Sequence, residues 1–150
     1  MNASQACLNL IRDFEGLKLK PYKCPAGLPT VGIGSTRYEN GRAVTMNDEP
    51  ITEARAWELL KHRLVSCELA IRRLVKVKLT QCEFDALVSF IYNVGEGNFA
   101  NSTLLIMLND GDDKGETSAQ LLRWNKVKGV PCDGLTRRRQ AERSLFLKVC

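Results

Sequence analysis

The sequence predicts one α+β domain with a helical majority. Two observations support this prediction. Apolar residues recur every three or four positions along most of the chain, whereas residues 17–50 combine prolines and glycines with short β-prone pieces. The chain has 150 residues, 44% of them hydrophobic, and is long enough to bury a core of its own. We therefore expect a β-rich part and a larger helical part within a single domain, residues 1–150.

The first predicted helix carries apolar residues on one face and ends at a glycine. The residues that share this face, at the i, i+3, i+4, i+7 spacing, are Cys7, Leu10, Ile11 and Phe14. Gly16 then places Glu15 at the helix end beside the apolar face, where desolvation would raise the pKa of its carboxyl. From periodicity alone, an ordinary solvated glutamate is the more frequent interpretation.

The next segments predict a small sheet followed by a long helix. Pieces at 30–33 and 43–45 are β-prone and separated by turn residues, which is typical of a short antiparallel sheet with loops. Thr52 can cap the helix that follows. The apolar stripe of that helix comprises Trp57, Leu60, Leu64, Cys67, Ile71 and Leu74. Because both tryptophans of the chain, Trp57 and Trp124, fall within helical apolar patterns, we interpret them as core residues.

The remainder of the chain predicts further helices. Thr80 and Glu83 fit a capping box at the start of a strongly apolar helix that Gly95 ends, and this helix is expected at the centre of the helical part. Additional helices are expected at about 102–108, about 115–126 and from about 136 onward.

Charge and cysteine content limit the classes of partner and site. A formal net charge of +5 attracts polyanions, so nucleic acid, an anionic wall polymer and a membrane surface all stay open. No apolar stretch approaches the ~20 residues of a membrane span, and the first residues lack a secretion signal. Six cysteines could form up to three disulfides. Without a CxxC pair and with one histidine, a structural zinc site is not expected.

Three segments, in order, carry a resemblance to a known family. They are FEGLKLKPYKCPAGLPTVGIGST at 14–36, SFIYNVG at 89–95 and RWNKVKGVPCDGLTRRRQAERSLF at 123–146. Together they resemble the phage-type lysozymes, or endolysins, of glycoside hydrolase family 24. In that family a glutamate is followed nine residues later by aspartate or cysteine and six later again by threonine. Here these positions hold Glu15, Cys24 and Thr30.

The resemblance implies an active site and a substrate. Glu15 would donate a proton to the glycosidic oxygen. Cys24 would activate water or act electrostatically, and Thr30 would help to position that water. The reaction implied is cleavage of the bond between N-acetylmuramic acid and N-acetylglucosamine in bacterial peptidoglycan, with host cell lysis as its result. Related folds can instead form an anhydro sugar, so the product class stays open.

The resemblance also implies an architecture and a setting. A β-rich lobe at approximately 14–50 would form one wall of a cleft, and the long helix would join it to a helical lobe at approximately 75–150 that includes the N-terminal helix. Substrate contacts are expected at Gly32, Asn93, Arg137 and Arg138. We expect no cofactor, no nucleic-acid partner, no stable membrane insertion and a monomer. The protein would be made in the bacterial cytoplasm and act on the wall, in the periplasm, after release.

Several residues have alternative interpretations. Cys24 could be a disulfide partner, in which case oxidation would hold the enzyme inactive, whereas Lys18, Lys20 and Lys23 could favour its thiolate. The run Arg137–Arg139 could be a solvated helix face or bind anionic wall groups. An arginine there that forms a salt bridge to Glu142 or Asp133 would serve structure first.

Two rival functions are also compatible with the sequence. One is a non-catalytic wall-binding protein on a lysozyme scaffold, because fold does not fix function. The other is a cysteine peptidase in which His62 acts as the base for Cys24. Two departures from the family pattern concern the loops: Ser35 stands where many relatives have histidine, and residues 125–129 lack a usual pair of adjacent glycines.

Overall fold

A computed structural model describes all 150 residues and confirms an α+β protein in which helices dominate. The elements in chain order are α1 (Gln5–Glu15), β1 (Lys18–Lys23), β2 (Pro29–Gly32), α2 (Glu53–Leu74), α3 (Gln81–Val94), α4 (Glu96–Ala100), α5 (Thr103–Asp110), α6 (Lys114–Ala119), a 3-10 turn (Gln120–Arg123), β3 (Lys126–Val127), β4 (Val130–Pro131) and α7 (Asp133–Leu147). Two compact units are present: Leu8–Val65, and Met1–Cys7 with Ser66–Cys150. The single-domain organisation expected from the sequence stays a prediction.

The unit Leu8–Val65 contains an antiparallel hairpin and its own small core. β1 pairs with β2 in a register that places Tyr22 opposite Thr30, with an irregularity between Lys18 and Tyr22. Buried Val31, Val44 and Leu59 form the core, and partly buried hydrophobic side chains from the surrounding loops pack against it. The hairpin is therefore anchored on its inner face to α2, which carries Leu59.

The strand predicted at 43–45 is wrong. Only an isolated bridge between Arg37 and Ala43 forms there. The carboxylate of Asp48 accepts hydrogen bonds from the backbone N–H of Thr45 at 3.0 Å and from its hydroxyl at 2.7 Å. A side chain that satisfies the backbone locally in this way competes with ladder pairing.

The other unit is built around α3, as expected. The capping box of Thr80 and Glu83 is present, and every residue from Cys82 to Ile91 is buried. α7 packs along α3 more extensively than any other helix does. α7 begins at Asp133, earlier than predicted, and Asp133 contributes a negative charge to its first turn, which the helix dipole favours.

The helix predicted through residue 126 is wrong at its end. α6 stops at Ala119, and a 3-10 turn leads to the hairpin of β3 and β4. Lys128 and Gly129 connect these two strands with φ values of 50° and 80°. Positive φ at both central residues is the geometry of a type I′ hairpin turn. The sequence did not predict this turn because Lys128 stands where asparagine, aspartate or glycine is usual.

The cysteines and the helix lengths give two further facts. Cys82 and Cys150 form a disulfide, and Cys7, Cys24 and Cys132 are free thiols. Of the three disulfides that six cysteines would allow, one is formed. None of the helices combines the length and the apolar character that crossing a bilayer requires.

Candidate active site

Glu15 is the last residue of α1 and is half-buried. The helix ends there because Gly16 adopts a φ of 80°, with its N–H donating to the Arg12 carbonyl at 2.8 Å. The Glu15 carboxyl lies against Gly34. A Cβ atom added to Gly34 would be 2.5 Å from Oε2 of Glu15 and 3.2 Å from its Cδ. The carboxyl therefore rests on a bare backbone surface.

A short closed turn carries Gly34. The N–H of Val31 donates to the Ser35 carbonyl at 2.9 Å, and the N–H of Ser35 donates back to the Val31 carbonyl at 3.0 Å. Between them, Ile33 is fully buried and acts as an anchor. Paired hydrogen bonds and a buried side chain hold this turn in one conformation.

Cys24 follows β1 in a loop whose backbone faces its sulfur atom. The loop closes through hydrogen bonds from the Cys24 N–H to the Leu28 carbonyl at 3.0 Å and from the Gly27 N–H to the Cys24 carbonyl at 2.7 Å. A hydrogen bond from the backbone of Leu28, helped by those of Ala26 and Gly27 and by the Thr30 hydroxyl, lowers the pKa of the Cys24 thiol against the effect of desolvation. The thiolate is thus favoured mainly by backbone donors, and no lysine is among the main causes of the lowered pKa.

Thr30 lies on β2 beside this loop and is 2% exposed. Its hydroxyl donates to the Leu28 carbonyl at 2.9 Å, and it also interacts with the Cys24 thiol. A hydroxyl has a single proton, so it can donate to only one of these acceptors at a time. Deprotonation of the thiol would provide the stronger acceptor.

Tyr22 is a residue of this site that sequence reasoning missed. It lies opposite Thr30 in the hairpin, and the Lys18 ammonium group lies 4.4 Å from the centre of its ring. Burial raises the pKa of the Tyr22 hydroxyl, and the charges of Glu15 and Cys24 raise it further. One phenol is therefore within electrostatic range of both acidic groups. The available signal was its position two residues before Cys24 in the sequence.

Gly32, expected to contact substrate, is buried in the same unit. A Cβ atom at this position would lie 3.2 Å from the Cβ of Ala56, and its φ is 69°. Close packing against α2 and the backbone conformation together account for a glycine here. Its contact with substrate stays a prediction.

Asn93, at the end of α3, is exposed and lines an open cavity of about 410 Å³. The other lining residues are Val94, Asn98, Arg123, Trp124, Lys126 and Leu135. Two cations, two carboxamides and an indole thus surround one cavity without an acidic residue. Trp124 also packs edge-on against the Phe90 ring at 5.8 Å, but it is only half-buried and lines this cavity, so it lies at the edge of the core and not within it.

The three consecutive arginines of α7 have different environments. Arg137 is exposed, whereas Arg138 and Arg139 are 3% and 0% exposed. Both buried arginines form ion pairs with Glu142, at 3.3 Å and 2.7 Å, and the Ser89 hydroxyl donates to the same carboxylate at 2.6 Å. The structural interpretation is therefore correct for these two. We exclude Arg138 from the expected substrate surface because its side chain is buried and ion-paired.

Comparison with known proteins gives consistent matches. The model of the phage lysozyme family matches residues 12–142. The endolysin of Bacillus phage B103 is 42% identical over 147 residues, covering 98% of this chain and 54% of that protein. The endolysin of Acyrthosiphon pisum secondary endosymbiont phage 1 is 39% identical, covering 97% of this chain and 98% of the other. The structure of an endolysin from Escherichia coli O157:H7 phage FAHEc1 superimposes with a TM-score of 0.92 at 37% identity, covering 99% of this chain and 94% of that one.

The fold and these matches define a class: the chain belongs to the phage lysozyme family. It spans about half the length of the Bacillus phage B103 relative and nearly the whole of the Acyrthosiphon pisum phage relative. Within the family, the relatives described here carry the name endolysin.

Proposed function

We propose that this protein is an endolysin of the muramidase type, which hydrolyses the β-1,4 bond between N-acetylmuramic acid and N-acetylglucosamine in bacterial peptidoglycan. The observation that carries the proposal is the placement of the Glu15 carboxyl, half-buried at the end of α1 and packed on Gly34, within a chain of the phage lysozyme family. A glycosidase needs such a carboxyl to protonate the leaving oxygen.

The second group of the reaction is the Cys24 thiolate. Its pKa is lowered by hydrogen bonds from the loop backbone, so it carries more negative charge at neutral pH than an ordinary thiol. A thiolate there can accept a proton from water or stabilise the positive charge that develops on the sugar ring. Thr30, beside it, positions the water. The charges of Glu15 and Cys24 both act on Tyr22, which supports their participation in one site.

The proposed substrate surface outside this site is the cavity beside Asn93. Carboxamides, cations and an indole suit the hydrogen-bonding and carboxylate groups of a peptide-bearing glycan. Arg137 is exposed and remains part of this proposal. The enzyme would act as a monomer, without a cofactor, on the wall after its release from the cytoplasm in which it is made.

The rival peptidase scheme receives no support from the surroundings of His62. This residue is exposed on α2, and its electrostatic effect falls on Glu39. A non-catalytic wall-binding protein would not require the close packing of Gly34 on the Glu15 carboxyl.

The deciding experiment measures reducing-end release from purified peptidoglycan. Glu15→Gln keeps the size of the side chain but removes its acid, and it should abolish release while wall binding persists. Glu49→Gln, at an exposed glutamate, is the matched control and should retain activity. Normal release by Glu15→Gln would refute the proposal. New amino termini would indicate a peptidase, and binding without any product from the unmodified protein would indicate a non-catalytic binder.

A second experiment tests the role of Cys24. Cys24→Asp retains a negative charge and should preserve most activity, whereas Cys24→Ala should lose most of it. The opposite order of activities would contradict a role for the charge. Mass spectrometry of the intact product distinguishes hydrolysis from formation of an anhydro sugar, because the anhydro product lacks one water.

A further inference from the structure

Gly34 differs from every other glycine of the chain in what surrounds it. At most positions with positive φ, including Gly41, a Cβ atom would meet nothing within 4 Å. At Gly34, the same atom would meet Oε2, Cδ and Cγ of Glu15 at 2.5, 3.2 and 3.4 Å. This is the closest approach at any glycine in the protein. The left-handed backbone at Gly34 therefore explains only part of the requirement for glycine.

We propose that Gly34 is a positioning residue for the reaction, because its bare Cα atom sets the conformation of the Glu15 carboxyl. This inference rests on the proposed role of Glu15 as proton donor. A glutamate side chain at a helix end has several rotamers available, and contact on one side restricts them. A shift of about 1 Å in a reacting group can lower the rate about 100-fold.

The surrounding turn determines which partner would move if a methyl group were added. The reciprocal hydrogen bonds between Val31 and Ser35, together with buried Ile33, hold the backbone at Gly34 in place. The Glu15 carboxyl is instead the far end of a flexible side chain. An alanine at this position should therefore displace the carboxyl and leave the turn unchanged.

Gly41 offers a matched control in the same unit. Its φ of 85° is close to the 74° of Gly34, so alanine creates similar backbone strain at both positions, but a Cβ atom at Gly41 would contact nothing. We expect Gly34→Ala and Gly41→Ala to lower the urea midpoint to a similar extent. Only Gly34→Ala should lower kcat, by about 100-fold, with KM within about twofold. A kcat for Gly34→Ala within about twofold of the Gly41→Ala value would overturn the inference.

A double substitution tests whether the effect passes through Glu15. Aspartate is one methylene shorter, so a Glu15→Asp background removes the 2.5 Å approach to Oε2 and leaves only the looser contacts, at 3.2 and 3.4 Å, in the places of Cδ and Cγ. Gly34→Ala should then cause little further loss of kcat. An undiminished 100-fold loss in this background would show that Gly34 acts by another route.

Carboxyl ¹³C chemical shifts provide a readout that does not depend on activity. The Glu15 resonance, assigned by its absence in Glu15→Gln, should move in Gly34→Ala and stay in place in Gly41→Ala. An unmoved resonance in Gly34→Ala would contradict the inference. If the resonance moves as expected while Glu15→Gln remains fully active, the packing contact stands, and both the proposed function and the positioning role fail.

Discussion

The disulfide between Cys82 and Cys150 should be a large contributor to the stability of the helical unit. Cys82 is buried in the first turn of α3, and Cys150 follows an end segment in which Val149 is 94% exposed. Replacing Cys150 by serine removes the crosslink with little loss of native packing. Replacing Cys82 would also disturb the core, so Cys150→Ser is the cleaner perturbation.

The expected magnitude follows from the loop that the disulfide closes. The two cysteines are separated by 68 residues in sequence. In the chain-entropy model, a closed loop of that length lowers the entropy of the unfolded chain enough to stabilise the fold by about 4.4 kcal/mol at 25 °C. With a denaturant dependence of about 2 kcal/mol per molar urea, the midpoint should fall by about 2 M when the crosslink is absent.

Urea titration followed by far-UV circular dichroism measures this effect. Three samples without the crosslink should coincide: Cys150→Ser, Cys150→Ser with dithiothreitol, and the unmodified protein with dithiothreitol. Val149→Ser, one residue away and exposed, should unfold like the oxidised protein. If the oxidised and reduced proteins differ by less than about 1 kcal/mol, loop closure does not stabilise the fold as reasoned.

Three other predictions concern buried charge, pH and the thiol. Glu142→Leu leaves two buried arginines without their shared carboxylate and should lower the unfolding free energy by about 3–5 kcal/mol in urea titration. A loss below about 1 kcal/mol, the value typical of a solvent-exposed salt bridge, would contradict this reasoning. The hydrogen bond from the Tyr38 hydroxyl holds the pKa of Asp48 below its usual range. The Asp48 carboxylate therefore stabilises the fold fully above pH ~3.9, and this stabilisation is lost as the pH falls further. The midpoint difference between Asp48→Asn and the unmodified protein should therefore narrow below pH ~4, and a constant difference would contradict this. Alkylation of Cys24, followed by peptide mass spectrometry, should reach half its maximal rate below the pH of ~8.5 expected for free cysteine, and Thr30→Val should raise that midpoint; identical midpoints would exclude the hydroxyl as a donor.

Much of the helical framework could be predicted because it depends on short-range sequence patterns. The apolar face that ends at Gly16 defined α1, and the capping box of Thr80 and Glu83 defined the start of α3. The failures occurred where a single turn or side chain decides between conformations. The Asp48 carboxylate replaces strand pairing near Thr45, and the turn at Lys128 turns a predicted helix end into a hairpin.

The candidate site was predictable in its residue types and not in its contacts. The spacing from Glu15 to Cys24 and Thr30 identified the residues through family resemblance. Nothing in that spacing shows that the loop backbone stabilises the thiolate, because this depends on the conformation of residues 25–28. Likewise, consecutive arginines look alike in sequence, and only packing against α3 separates buried Arg138 from exposed Arg137.

The loop around Cys24 also bears on how its family can vary. Backbone N–H groups remain whatever side chain follows β1, so the loop offers the same donors to a carboxylate as to a thiolate. Replacement of cysteine by aspartate should therefore be tolerated at this position, because both side chains are anions of similar reach. The exchange would preserve the negative charge but change the sensitivity of the site to oxidation, because a thiolate can be oxidised and a carboxylate cannot. Because the donors belong to the backbone, the negative charge at this position can be kept while the residue that carries it changes.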